Sequence, residues 1–348
     1  MVPVIPFPDL NDNPMIRRLV YWTFSLLCLA GALVTCAILF LGQWGQEKRS
    51  IDPSLTLLIS RGDTLENIST ECERLGFIDN AFFFRWQAKR LGVEKNIKAG
   101  EYRFREKISP DQILKVIVSG RVVQYQVMLR EGDTFTQIIK TLSRTKLVND
   151  LESVDVNSAM RFLGLEDRHA EGLFFPDTYH YEKGDKASFV LLQSYYVMEE
   201  RLKAAWEMRN SSFSLETPYE VLILASIIEK ESGIMADRQK ISGVFKRRLE
   251  IRMRLQSDPT VIYGLGSHYD GNLSRNHLRR DSPYNTYTRN GLPPTPISNP
   301  SWDSLVAATQ PQKGQELYFV ARGDGTSEFS ATLSEHNAAV RTYQLSAK

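Results

Sequence analysis

Thr217-Pro218-Tyr219-Glu220-Val221-Leu222-Ile223-Leu224-Ala225-Ser226-Ile227-Ile228-Glu229-Lys230-Glu231-Ser232-Gly233 is the stretch on which the fold of this chain turns. Its opening is a helix start: a threonine cap, proline at the first helical position, and glutamate three residues after the cap to close a capping box. Residues 221–228 then run on with almost no polar face, which predicts a central, buried helix. The last turn holds two carboxylates, Glu229 and Glu231, where the macrodipole is negative and charged acids are disfavoured. Two residues apart, they lie on different helix faces and are not a coupled acid pair. Glu231 follows Ile227 by four and Ile228 by three, so its stem lies over apolar neighbours, and desolvation and the helix end both raise its pKa. A carboxylic acid kept protonated near neutral pH can act as a general acid. The alternative for an acid at a helix end is a solvated or arginine-paired residue. Ser226 and Lys230, four apart, have the spacing of a Ser-Lys nucleophile, but that serine is buried while the lysine should point outward.

Downstream, a basic helix over 239–252 leads into Arg252-Met253-Arg254-Leu255-Gln256-Ser257-Asp258-Pro259-Thr260-Val261-Ile262-Tyr263-Gly264, read as hydrogen-bonding side chains around a proline-fixed turn. Ser282-Pro283-Tyr284-Asn285-Thr286-Tyr287 and Gly291-Leu292-Pro293-Pro294-Thr295-Pro296-Ile297-Ser298-Asn299-Pro300 follow as two loops rich in amide, hydroxyl and tyrosine groups. Aromatic faces and amides are what pyranose rings and N-acetyl groups need for stacking and orientation. The candidate substrate-binding residues are therefore Gln256, Asp258, Tyr263, Tyr284, Asn285 and Tyr287. Proline-rich loops are equally ordinary rigid connectors. Asp258 is either a second carboxylate, which would make a hydrolase, or a plain turn residue before Pro259. A strand at 317–322 and a helix at 334–345 close this part.

Upstream, Arg61-Gly62-Asp63-Thr64-Leu65-Glu66-Asn67-Ile68 is echoed by Glu131-Gly132-Asp133-Thr134-Phe135-Thr136-Gln137-Ile138. In each, an alternating strand (55–60 and 123–129) meets a Gly-Asp-Thr turn that opens a capped helix. Between the repeats lie a helix at 81–91, a strand around 100–104 and a helix at 110–119 ended by Gly120. The unit from 54 to 122 resembles a LysM-like module, the carbohydrate-binding unit that reads N-acetylglucosamine polymers; the Gly-Asp-Thr turn is also a simple helix opener. Residues 149–167 read as a polar connector or helical insertion. Aromatics gather around a proline turn at Glu171-Gly172-Leu173-Phe174-Phe175-Pro176-Asp177-Thr178-Tyr179, before a long helix at 186–209 and a loop at 210–215.

Residues 19–46 contain no Asp, Glu, Lys or Arg, and 19–42 are dominated by apolar side chains, enough for a helix that crosses a hydrocarbon core. Tyr21, Trp22 and Trp44 suit interfacial aromatic belts. The run is longer than a signal-peptide core and lacks a small-residue cleavage site. Arg17 and Arg18 before it balance Lys48 and Arg49 after it, so positive charges alone do not orient it.

The chain has 348 residues, 42% hydrophobic and 24% charged, which excludes disorder, collagen and disulfide miniproteins. A net charge of +2 argues against a nucleic-acid partner. Cysteines 28 and 36 fall in the apolar run, leaving Cys72 alone. The histidines at 169, 180, 268, 277 and 336 have no metal-ligand spacing, so neither metal nor cofactor is expected. Arg247-Arg248 and Arg279-Arg280 would attract acidic groups or simply be solvated.

Taken in order, Phe175-Pro176-Asp177-Thr178, Ala225-Ser226-Ile227-Ile228-Glu229-Lys230-Glu231, Leu255-Gln256-Ser257-Asp258-Pro259-Thr260-Val261-Ile262-Tyr263-Gly264, Tyr284-Asn285-Thr286-Tyr287, Gly291-Leu292-Pro293-Pro294 and Leu317-Tyr318-Phe319-Val320 make the chain resemble the YceG-like endolytic murein transglycosylases over residues 54–345. The chain departs little from the family: Ser232 stands where a threonine is common, and a longer polar tail precedes the apolar run. The resemblance implies an α+β protein: a cytoplasmic tail at 1–18, a transmembrane helix at 19–42, a LysM-like subdomain at 54–122 and a YceG-like catalytic domain at 123–348. It implies a single-pass inner-membrane protein facing the periplasm or cell exterior. Such a protein cuts nascent peptidoglycan strands between N-acetylmuramate and N-acetylglucosamine to leave 1,6-anhydro ends, terminates glycan elongation and associates with wall synthases. It further implies that the second glutamate of Glu-Lys-Glu, here Glu231, is the catalytic acid. The rival readings are a membrane-anchored scaffold that holds glycan without cutting it, and a muramidase-type hydrolase.

Overall fold

The computed structural model describes residues 14–166, 168–210 and 215–345, so 1–13 of the expected tail and 211–214 of the expected 210–215 loop lie outside the described residues. The fold is mixed α+β, in two compact units, Met1–Val123 and Gln124–Lys348.

In the first unit, α1 (Pro14–Gln46) contains the whole apolar run and extends beyond it at both ends. Its lipid-length stretch is exposed, whereas Leu41 and Trp44 are buried in the unit. The chain continues through β1 (Arg49–Ser50), β2 (Thr56–Ile59), α2 (Leu65–Arg74), α3 (Ala81–Arg90), β3 (Gly100–Arg103), β4 (Lys107–Ile108) and α4 (Pro110–Ser119). β2 pairs antiparallel with β3, closing a strand–helix–helix–strand order. β1 pairs with β4 through two residues each, too short for alternation to announce them. Thr64 caps α2 by accepting from the Asn67 N–H, and Ser109 with Gln112 forms a capping box on α4. The core gathers Leu57, Phe77, Phe84, Tyr102 and Ile113 around Cys72, whose thiol burial pushes up to about 12.

The second unit begins with β5 (Gln124–Met128), α5 (Phe135–Leu142), α6 (Ala159–Phe162) and β6 (Thr178–Glu182). β5 and β6 pair antiparallel, Gln124 opposite Glu182. The 149–167 segment is less of a polar connector than expected: Leu151, Ala159 and Met160 are buried in the core. α7 (Ala187–Glu207) leads to α8 (Pro218–Glu231), whose Thr217–Glu220 capping box forms as expected and whose residues Val221 to Ile228 are all buried. α9 (Met235–Glu250), α10 (Asp258–Leu265), α11 (Arg275–Arg279) and α12 (Trp302–Thr309) follow. The proline-fixed turn expected at Asp258-Pro259 is instead the start of α10, where proline is tolerated because its missing N–H has no intrahelical partner to lose. β7 (Tyr318–Ala321) pairs antiparallel with β8 (Ser327–Ser330), a strand not expected from the sequence, and α13 (Leu333–Val340) precedes a wide turn at Arg341–Leu345. Among the described residues each strand belongs to a two-stranded ladder, so the unit is organised around α8.

Candidate active site

The two acids ending α8 occupy different environments. Glu229 is 5% exposed and bonds Arg238, 8% exposed, at 3.0 Å. It also accepts from the Ser301 N–H at 2.9 Å and the Ser301 hydroxyl at 2.5 Å, so it ties α9 to the cap of α12. Every oxygen has a fixed partner, which is the arginine-paired condition.

Glu231 is only partly buried, and Oε1 accepts the Ser257 hydroxyl at 2.5 Å. Desolvation is the main cause that pushes its carboxyl up to about 7; the Asp258 charge adds to the rise, while the Ser257 bond and Arg248 oppose it. Its neutral and ionised forms are thus both populated near neutral pH.

Ser257 is 1% exposed and rigidly held. Its N–H donates to Thr286 Oγ1 at 2.9 Å, and its carbonyl accepts from Thr260 Oγ1 at 2.7 Å. The Gln256 N–H donates to the Thr286 carbonyl at 3.1 Å. The 282–287 loop therefore braces the residue that touches Glu231. Gly264 permits this approach, because a β-carbon there would lie 3.0 Å from that of Tyr284.

The expected substrate-binding residues divide into four settings. Asp258 and Tyr287 join Glu231: the Tyr287 hydroxyl donates to Asp258 Oδ1 at 2.6 Å, and burial together with both carboxylates raises the phenol pKa. Gln256 is exposed beside Ser257 with φ of 52°, a left-handed conformation that costs a non-glycine residue about 1–2 kcal/mol. Asn285 is 1% exposed, and its amide nitrogen donates to the carbonyls of Leu278 at 3.1 Å and Arg280 at 2.7 Å, while Oδ1 accepts from the Tyr287 N–H at 2.8 Å. Its amide is thus hydrogen-bonded within the loop.

Tyr263 and Tyr284 belong to a neighbouring group centred on Glu171, a residue with no candidate role in the sequence. Glu171 is 2% exposed. It accepts from the Phe135 N–H, an orphan donor at the start of α5, at 2.9 Å, and from the Tyr263 hydroxyl. Burial pushes it up to about 7, against these hydrogen bonds and the Lys230 charge. The Tyr263 ring meets Tyr284 edge-on at 5.0 Å, and the Tyr284 hydroxyl bonds Thr295 at 2.9 Å. A signal was available: an acid followed by glycine inside an aromatic run is a poor surface residue. Gly172, at φ of 81°, lets the 296–298 segment pack against it.

That segment is less a free connector than a strap. The Ile297 N–H donates to Ser226 Oγ at 3.0 Å, and Asn299 bridges the Phe174 N–H at 2.9 Å and the Asp133 carbonyl at 2.8 Å. Ser226 is thereby occupied, and Lys230 reaches the Gly132 carbonyl at 3.2 Å, so no Ser-Lys pair forms.

The profile of the YceG-like family matches residues 57–342. An endolytic murein transglycosylase from Bacillus subtilis (strain 168) is 32% identical over 315 residues, covering 83% of this chain and 85% of that protein. One from Streptococcus pneumoniae is 27% identical over 301 residues, and the chain spans only 54% of its length. The crystal structure of a YceG-like protein from Listeria monocytogenes superposes with a TM-score of 0.51 at 33% identity, over 84% of this chain and 99% of that one.

Proposed function

The chain belongs to the YceG-like family, and on that premise we infer that it is an endolytic murein transglycosylase, a lyase acting within peptidoglycan strands. The observation that carries the assignment of the acid is the bond from Ser257 to a desolvated Glu231 at the end of a buried helix. Protonated Glu231 donates to the oxygen linking N-acetylmuramate to N-acetylglucosamine, and the bond from that oxygen to muramyl C1 breaks. The carboxylate then accepts the proton of the muramyl C6 hydroxyl as that oxygen bonds to C1, closing a 1,6-anhydro ring with no water consumed. One group serves as acid and then base, which suits a pKa near neutrality. Asp258, with Tyr287 bonded to it, supplies negative potential for the oxocarbenium-like state.

The small unit fits a LysM-like glycan-holding role. A cleft of about 360 Å³ lies between the Gly-Asp-Thr turn, including Arg61, Gly62 and Asp63, and Glu94 with Lys95. α1 is long and apolar enough to cross a membrane, which is compatible with a single-pass anchor. In this reading residues 1–18 face the cytoplasm, the domains at 54–122 and 123–348 lie on the other side, and wall synthases that make nascent strands are the natural neighbours.

The test is incubation of the full chain, with and without Glu231→Gln, on uncrosslinked glycan strands, with released ends read by mass spectrometry. Anhydro-muramyl ends that vanish in the variant are expected. Reducing ends would instead indicate a hydrolase using Asp258 as second carboxylate, and intact but retained strands a scaffold.

A further inference from the structure

α3 buries Ala81, Phe84, Gln87 and Ala88 in the core of the small unit. Its opposite face carries Phe82, Trp86, Lys89 and Arg90, and Phe82 is 60% exposed. An outward helix face is ordinarily polar, so aromatics there mark a contact surface.

The surroundings identify the partner. Asp79, Phe83 and Gln87, spaced four apart, meet the C-terminal end of α1 between Phe40 and Gly45. Before the helix starts, Asp79 accepts from Trp44 Nε1 at 2.9 Å. Phe83 stands edge-on to Phe40 at 5.9 Å and to Trp44 at 5.7 Å. Gln87, bonded to Asp111, occupies the space that a β-carbon on Gly45 would need. α3 thus packs against the C-terminal end of α1. Phe40 belongs to the uncharged 19–42 run and is 57% exposed, so a ring touching it sits where α1 still faces hydrocarbon. The Phe82 ring is 6.0 Å from that of Phe83, on the side away from the core. Lys89 and Arg90, both exposed, follow Phe82 by seven and eight residues and share its face.

We propose that α3 is an interfacial helix: Phe82 and Trp86 enter the bilayer boundary beside α1, and Lys89 and Arg90 meet the phosphates of anionic lipids. Aromatic and cationic groups on one face of a surface helix are the composition of such contacts. The inference rests on α1 crossing a bilayer. It deepens the functional reading, since the cleft of the small unit is then kept on the membrane surface, where glycan is newly made.

Nitroxide depth measurement in the full chain tests it. Cys28 and Cys36 are changed to Ser, Cys72 being fully buried, and the protein is reconstituted in phosphatidylcholine–phosphatidylglycerol bilayers. Labels at Leu29→Cys, Leu39→Cys and Lys48→Cys calibrate mid-span, boundary and water by accessibility to oxygen and to a nickel chelate. A label at Phe82→Cys should match position 39, and one at Lys89→Cys should fall between 39 and 48. Accessibility at 82 equal to that at 48, while 29 favours oxygen, would overturn the proposal and leave the anchor intact. Shielding of 82 from both probes would overturn it in favour of a protein partner. Nickel access at 29 would remove the anchor and the proposal together. Phe82 is a surface side chain, so its replacement leaves the core unchanged.

Discussion

The Ser257 hydroxyl hydrogen-bonds Glu231 at 2.5 Å, and this bond stabilises the ionised carboxylate against the burial that opposes it. The two effects set the pH at which the acid loses its proton. The rate with glycan strands should therefore fall on the alkaline side with a limb near pH 7. Ser257→Ala removes a stabiliser of the anion and should move that limb upward. Asp258→Asn removes a repelling charge and should move it downward. Limbs that shift together, or stay fixed, would show that the titrating group is not Glu231.

Glu229 and Glu231 should respond oppositely to neutralisation. Glu229→Gln leaves Arg238 buried without its counter-charge, a loss of about 3–5 kcal/mol. Glu231→Gln removes a charge that burial disfavours and should leave stability at pH 7.5 unchanged or raise it. Thermal unfolding at pH 7.5 measures both. Equal destabilisation would mean that Glu231 too is a structural ion.

Glu171 links stability to pH. Its carboxyl holds a proton up to about pH 7 when folded, whereas an unfolded glutamate releases it near 4.5. The folded state binds more protons across that window, so stability falls as pH rises through it. A shift of this size corresponds to about 3 kcal/mol by the top of the window. Glu231 contributes in the same direction. Glu171→Gln should flatten the fall, as read by unfolding midpoints at a series of pH values from 4.5 to 8; an unchanged slope would remove Glu171 as a titrating group.

Asn285→Ala should destabilise the chain by about 2–3 kcal/mol, because it frees the Leu278 and Arg280 carbonyls in a closed loop. It should also slow turnover by loosening Thr286, the brace of Ser257. Measuring unfolding and turnover on the same preparation separates these effects. Loss of glycan affinity alone, with stability unchanged, would instead assign Asn285 to substrate.

Much of the secondary structure could be read locally. The Thr217–Glu220 capping box, the apolar run of α8, the Ser109 cap with Gly120 after α4, and both Gly-Asp-Thr helix openings are signals within a few residues of the elements they define. β1, β4 and β8 escaped because short strands show little alternation and are specified by a partner. α10 escaped because Pro259 looks alike in a turn and in a first helical turn.

By itself, then, the sequence determined the long apolar helix, the buried central helix, and the placing of two acids at its end on different faces. Only the tertiary structure decided what those acids meet. Ser301 reaches Glu229 from 72 residues away, Ser257 reaches Glu231 from 26, and Phe135 reaches Glu171 from 36. Helix periodicity specifies the direction in which a side chain leaves its own helix, but burial, pairing and pKa depend on groups brought there from other elements.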